Sequence, residues 1–234
     1  MFEAILFDFV DSDIQSLKWL HSHTGSTVCF DDFSETSVDE IRRFHRLVAE
    51  HQIDPLLEHE FRLKNTFMRH QMAWNNDYVS YYRDRLISTC TAYHGVEELL
   101  AGVKQKAKTG LITNAYDGKE QRQRIRNSGL EAYFDLTVVA GEIGIYKPDA
   151  SIFLHAVNHP NVVPERCLYV GDSLAYDILG AKSAGMKTAL VSKQSNVDGS
   201  VADYVVKGVD ELQALLDRMV VSSLQRRACD GTDL

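Results

Sequence analysis

Ala4-Ile5-Leu6-Phe7-Asp8-Phe9-Val10-Asp11-Ser12 is an apolar run that stops abruptly at a carboxylate. Far along the chain the pattern returns: Leu168-Tyr169-Val170 runs into Gly171-Asp172-Ser173, and Asp177 follows. Short apolar runs bounded by turn-forming residues have the length and texture of buried strands. Further runs of this kind lie at 110–113, 136–140, 188–191 and 204–206. Amphipathic helical patterns occupy the stretches between, near 96–106, 119–127, 150–157, 174–183 and 210–220. Gly129 and Gly185 close two of them, as glycine commonly does just past a helix end. Strands alternating with helices predict a mostly parallel sheet covered on both faces, a three-layer α/β/α core. In such a sheet the crevice for chemistry lies beyond the carboxyl ends of the strands, where Asp8, Thr113 and Asp172 fall.

Residues 14–90 have a different texture, helical almost throughout. Ser37-Val38-Asp39-Glu40 has the spacing of a capping box and predicts a helix beginning there, with Val38, Ile41, Phe44 and Val48 on its inner face. Asp54-Pro55 opens another helix, with proline at its first position, and Asn76-Asp77 can open a third. Trp19, Phe61, Phe67, Trp74, Tyr78 and Tyr81 either pack these helices together or line a pocket. The expected organisation is a Rossmann-like parallel-sheet core over 1–13 and 91–221 with an inserted α-helical cap domain over 14–90, most simply a lid. Residues 222–234 turn polar and irregular and are expected to be a disordered tail.

A chain of 234 residues has room for one large domain, or a main domain carrying a smaller one. Its net charge is -8 and no basic run exceeds Arg226-Arg227, which argues against nucleic acid as a partner. The cysteines Cys29, Cys90, Cys167 and Cys229 are widely spaced and read as reduced thiols of a cytoplasmic protein. The first apolar run follows no basic segment and is broken by Asp8, so it reads as a strand and not a signal peptide. No apolar run reaches membrane-spanning length, so no membrane partner is expected.

Asp8, Asp172 and Asp177 would bring carboxylates from two strand ends to one crevice, a donor set that suits Mg²⁺. Such a cation neutralises a phosphoryl group and orients it for in-line attack, with Asp8 available as nucleophile. Against this, aspartates at strand ends also begin turns and cap helices, though three together make that reading weak. Thr113-Asn114 at a strand end can hold phosphoryl oxygens or cap a helix, and Lys147 can screen charge or be an ordinary surface lysine. His155 and His159 have metal-ligand spacing with no third ligand evident, and His21 and His23 would not share a helix face.

In order and spacing the set resembles the haloacid dehalogenase-like hydrolase superfamily over 1–12 and 93–216. Gly110-Leu111-Ile112-Thr113-Asn114 looks like its second motif, Gly144-Ile145-Tyr146-Lys147-Pro148-Asp149 like its third, and Val170-Gly171-Asp172-Ser173 through Asp177-Ile178-Leu179-Gly180-Ala181 like its fourth. The insertion after the first strand falls where that family's helical cap belongs, and the chain is most similar to the small-molecule phosphatases, bacterial nucleotidases among them. The resemblance implies Asp8 as nucleophile and Mg²⁺ ligand, with the Val10 carbonyl, Asp172 and Asp177 also on the metal. It implies Thr113 and Asn114 on phosphoryl oxygens and Lys147 steadying the transition state. The expected substrate is a small phosphorylated metabolite, and the protein a monomer or homodimer.

The first motif departs from the family's Asp-x-Asp-Gly-Thr, because Val10 stands where an aspartate protonates the leaving group. Such acid–base help is worth about 10²–10⁴ in rate. Asp11 is one residue away, but that shift turns its side chain elsewhere. Three alternatives to a phosphatase follow. A non-catalytic phospholigand-binding or regulatory protein would keep the site without turnover. A haloacid dehalogenase needs no proton donor but generally works without metal and alters the fourth motif. A phosphonate hydrolase needs a Schiff-base lysine, for which Lys18 and Lys64 qualify by residue type alone.

Overall fold

A computed structural model of the protein describes residues 2–9, 13–158, 162–193 and 201–229, with side chains described through residue 219. Two compact units emerge, one from the described residues of 1–10, 92–115 and 129–234, the other from those of 11–91 and 116–128. The first holds a wholly parallel sheet of β1 (Ala4–Phe7), β2 (Lys108–Thr113), β3 (Leu136–Val139), β4 (Cys167–Gly171), β5 (Lys187–Val191) and β6 (Tyr204–Val206). Every apolar run of the sequence is thus a strand. The helices in chain order are α1 (Ile14–His23), α2 (Phe30–Ala49), α3 (Glu58–Arg69), α4 (Asp77–Ser88), α5 (Val96–Lys104), α6 (Gly118–Asn127), α7 (Ala140–Ile143), α8 (Ala150–Asn158), α9 (Leu179–Ser183) and α10 (Val209–Cys229). Helices surround the sheet in the three-layer arrangement expected of the sequence.

Strand order is β3-β2-β1-β4-β5-β6. The chain builds outward from β1 through β2 to β3, then returns to the other side of β1 and builds outward again. The reversal between β1 and β4 opens a crevice at their carboxyl ends. Register brings those ends level: Phe7 lies opposite Leu111 on one side and Val170 on the other. The Asp8 N–H then donates to the Val170 carbonyl at 2.9 Å, so the ladder extends one residue into the site. Beneath it Leu6, Ile112, Val138, Phe153 and Tyr169 form the buried core. Gly129 (φ +78°) and Gly185 (φ +87°) adopt the left-handed conformation that ends the preceding helices.

Part of the expected tail is helical. Residues 222–229 continue α10, whose start is anchored by buried Leu212, Leu215 and Leu216, and neither glycine nor proline interrupts the chain before Gly231. Residues 230–234 of that expected tail lie outside the described residues. No helix among the described residues is long and apolar enough to cross a membrane.

In the helical unit, α2 starts at Phe30 with Cys29 at its N-cap, so the capping box at Ser37 is not used. Its inner face is Phe33, Thr36, Ser37, Glu40 and Phe44. The polar members are buried because α3 supplies their partners: Arg62 Nε donates to Ser37 Oγ at 2.6 Å, His70 Nε2 lies 2.9 Å from Thr36 Oγ1, and Arg69 pairs with Glu40 at 3.2 Å. Arg62 also pairs with Asp13 and reaches the Tyr82 hydroxyl at 3.2 Å. Asp54 caps the turn at Pro55 by accepting from the Leu56 N–H, and α4 begins at Asp77 as the sequence suggests. Several of the aromatic residues serve packing: Trp74 meets buried Phe67 edge-on, Tyr78 packs tilted against the same ring, and Phe61 packs tilted against Phe44. Residues 116–128 group with this unit and not with the sheet, because Tyr116 packs on Phe44 and His45 while Glu120 pairs with His59 and Arg83.

Candidate active site

Four sheet-unit segments converge at the carboxyl end of the sheet. Asp8 follows β1, Thr113 ends β2 with Asn114 next, Lys147 lies in the loop ahead of α8, and Asp172 follows β4. A wide π-type turn, 174–178, then begins. In it the Ser173 carbonyl accepts from both the Asp177 N–H at 2.9 Å and the Ile178 N–H at 3.1 Å. That widening, a feature common at functional sites, returns the Asp177 side chain toward the start of its own turn. Its Oδ2 accepts from the Ser173 N–H at 3.0 Å.

Lys147 is buried and binds both Asp8 and the turn: its Nζ lies 2.7 Å from Asp8 Oδ1 and 2.7 Å from Asp177 Oδ1. The surface-lysine reading is thereby excluded. Ile112 O and the Tyr169 hydroxyl are each 3.3 Å from the same nitrogen. The lysine backbone is clamped by Asn114, whose Nδ2 donates to the Lys147 carbonyl at 3.0 Å and whose Oδ1 accepts from the Lys147 N–H at 2.9 Å. Gly180 lets α9 approach this loop, since a Cβ there would sit 2.6 Å from the Phe153 ring and 2.8 Å from the Pro148 carbonyl.

Asp8, Asp172 and Asp177 offer oxygens within 4.8 Å of one another. Three carboxylates against one ammonium leave two negative charges when all are ionised, and an all-oxygen donor set with that imbalance fits a magnesium ion. Burial lifts the Asp8 carboxyl to about 6; Lys147 opposes the rise, and Asp177 and Asp172 add to it. Burial also raises Asp172, helped by Asp177. Burial pulls Lys147 down, but Asp8 and Asp177 overcome it and hold the ammonium above its ordinary value.

Val10, Asp11, Ser12 and His159 lie outside the described residues, so the expected carbonyl of Val10 on the metal has no geometry here. Thr113 is buried at the end of β2. His155 is half-buried on α8, and His21 and His23 are tied to the Val28 and Trp19 carbonyls. The sequence placed Gly171 and Tyr169 within their runs and gave neither a role of its own. A Cβ on Gly171 would lie 2.5 Å from Asp177 Cγ, so only glycine admits that carboxylate. Gly171→Ala is therefore expected to displace Asp177, cost about 1–3 kcal/mol of stability, and weaken Mg²⁺ binding at least about tenfold. Thermal melting and Mg²⁺ calorimetry check this, and unchanged Mg²⁺ affinity would refute it.

The fold and site define a doubly wound parallel-sheet protein with a carboxylate–lysine centre at its switch point. A family model described as haloacid dehalogenase-like hydrolase matches residues 5–191, and the chain belongs to that family. It is 35% identical over 130 residues to pyrimidine 5'-nucleotidase YjjG of Escherichia coli, covering 54% of this chain and 57% of that protein. To the N-acylneuraminate-9-phosphatase of Homo sapiens it is 37% identical over 130 residues, covering 54% and 52%. The chain spans about half the length of these relatives. In structure it resembles magnesium-bound YfnB of Bacillus subtilis (TM-score 0.79, 21% identity, 92% of this chain and 99% of that one). It also resembles the L-2-haloacid dehalogenase of Xanthobacter autotrophicus (TM-score 0.75, 17% identity, 93% and 99%). At those identities the likeness is one of fold.

Proposed function

We propose that this hydrolase is a Mg²⁺-dependent phosphatase acting on a small phosphorylated metabolite through an aspartyl-phosphate on Asp8, with proton transfer weakened by Val10. The observation that carries the reading is Lys147, whose ammonium joins Asp8 to Asp177 at 2.7 Å each beside the acidic triplet. The phosphatases and the nucleotidase among its relatives favour the same chemistry.

Asp8 Oδ attacks phosphorus, and the bond to the leaving oxygen breaks as the new one forms. Lys147 holds the attacking carboxylate in place and meets charge as it builds on the phosphoryl oxygens. Asn114, exposed beside the lysine loop, has a second Nδ2 hydrogen for such an oxygen, and Thr113 is assigned to the same role. Asp8, Asp172 and Asp177, with the Val10 carbonyl, would hold Mg²⁺, which when bound supplies charge neutralisation and in-line orientation. The departing oxygen takes its proton from water, because valine has none to give. Water then opens the acyl phosphate, releasing phosphate and restoring Asp8. The helical unit, inserted directly after the nucleophile's strand, is assigned the part of a cap, in a cytoplasmic monomer or homodimer.

The test is phosphate release from acetyl phosphate, p-nitrophenyl phosphate and a panel of sugar and nucleoside phosphates, with and without Mg²⁺. Val10→Asp is expected to accelerate alkyl phosphates by about 10²–10⁴ and the two activated substrates much less. Inert wild type together with an inert Val10→Asp would sink the reading. Tight binding without hydrolysis would favour the regulatory alternative.

A further inference from the structure

We propose, resting on the phosphatase reading above, that Tyr169 is a positioning residue whose hydroxyl fixes the Lys147 ammonium and the Asp177 carboxylate for phosphoryl transfer. Tyr169 lies in the middle of β4 between aliphatic Leu168 and Val170, and it is fully buried. Its ring belongs to the apolar core, with Phe153 edge-on at 4.9 Å and 80°. Phenylalanine would fill that space equally well; the hydroxyl is what distinguishes the residue. That oxygen leaves the core for the polar cluster, 3.2 Å from Asp177 Oδ1, 3.3 Å from Lys147 Nζ and 3.4 Å from Ile112 O.

Hydrogen counting gives the hydroxyl its role. An ammonium has three hydrogens. Two go to Asp8 Oδ1 and Asp177 Oδ1 at 2.7 Å, and the third meets Ile112 O and the Tyr169 oxygen, both at 3.3 Å. Tyr169 accepts from Lys147 and donates to Asp177 Oδ1, closing a ring of three groups. Without the hydroxyl, Asp177 Oδ1 loses its second donor, and the ammonium can pivot about its two short ion pairs toward Ile112 O. Tyr169 is fully buried and out of reach of a substrate entering from solvent, so the loss should fall on the transition state and leave substrate binding intact.

The experiment uses Tyr169→Phe in the full chain. For acetyl phosphate with Mg²⁺, kcat is expected to fall about tenfold, the size of one hydrogen bond to a charged group, while KM stays within about twofold. Beryllium trifluoride with Mg²⁺, which mimics a phosphoryl group on an aspartate, is expected to bind about tenfold more weakly by calorimetry. In a Lys147→Met background, where turnover is abolished and the mimic alone is read, adding Tyr169→Phe should weaken mimic binding by much less than tenfold, because the ammonium that the hydroxyl helps to hold is gone. If the wild type binds the mimic but turns over nothing, the mimic measurements alone decide the point. Tyr169→Phe equal to wild type in both readouts overturns the role of Tyr169 and leaves the phosphatase reading standing. A loss that persists unchanged in the Lys147→Met background also overturns it, by marking a general structural effect. Wild type that binds neither Mg²⁺ nor the mimic overturns both.

Discussion

Lys147→Met is expected to abolish phosphate release and to destabilise the metal-free protein more than any other single exchange at the site. The ammonium is the cation that Asp8 and Asp177 share, and both Lys147 and Asp177 are almost completely buried. Methionine keeps the length of the side chain and removes its charge. Two carboxylates then face each other without compensation, a loss worth about 3–5 kcal/mol, or roughly 10 °C in melting temperature for a chain of this size. Lys147 is held above its ordinary value, by Asp8 and Asp177 against burial, so its contribution is fully present throughout the neutral range and is lost only far into alkali. The pH dependence of the variant therefore comes from the carboxylates. Near about pH 5 Asp8 takes a proton and the deficit shrinks; near about pH 8 it is at its largest. Melting curves at the two pH values, with and without Mg²⁺, check this. Mg²⁺ should recover more stability in the variant than in wild type, since a dication replaces the missing charge. Equal melting of the two metal-free proteins near about pH 8 would show that the ammonium does not hold this cluster together.

Asp8→Asn is expected to lose activity completely and yet to melt higher than wild type when Mg²⁺ is absent. The Asp8 carboxyl is lifted from 3.8 to about 6, first by burial and against the pull of Lys147. A carboxyl raised in the folded state contributes stability below its unfolded value, and that stability is lost as pH rises through its folded value. Ionised Asp8 near about pH 8 thus costs roughly 3 kcal/mol, and the neutral amide removes that cost. That cost is already net of the attraction of Lys147, so a rise of about 5 °C or more is expected. Near about pH 4, where Asp8 holds its proton for much of the time, the two proteins should melt closely together. Mg²⁺ should reverse the order, stabilising the wild type and leaving the variant almost unmoved. A variant less stable than wild type near about pH 8 without metal would contradict this account of Asp8. On the proposed reading the Asp8 carboxylate is held at a cost that a bound cation would relieve, which would tie catalytic readiness to metal binding.

The strands were legible because each is a short apolar run whose ends carry the change of composition. Asp8, Thr113 and Asp172 were legible for the same reason, since in a parallel sheet the end of a strand is also a place in the crevice. The interior of the helical unit was less so. Ser37 has the chemistry of a helix N-cap, yet it lies inside α2 with its hydroxyl bonded to Arg62. A hydroxyl accepts whichever donor is nearest in space, and that donor is far away in sequence. Of the inner face of α2, Phe44 was legible and the rest was not, because Thr36, Ser37 and Glu40 are polar and buried only by virtue of Arg62, His70 and Arg69.

The amino-acid sequence by itself determined the α/β class, the strand positions and the identity of the acidic and basic groups, because periodicity and composition act over a few neighbouring residues. Tertiary structure decided what those groups do to one another. Lys147 became the partner of Asp8 and Asp177, Asn114 the clamp on its backbone, Gly171 the space Asp177 requires, and Tyr169 a core residue with one atom in the site. Charge and hydrogen bonding depend on distances of a few ångströms, and only folding brings residues from different strands and turns that close.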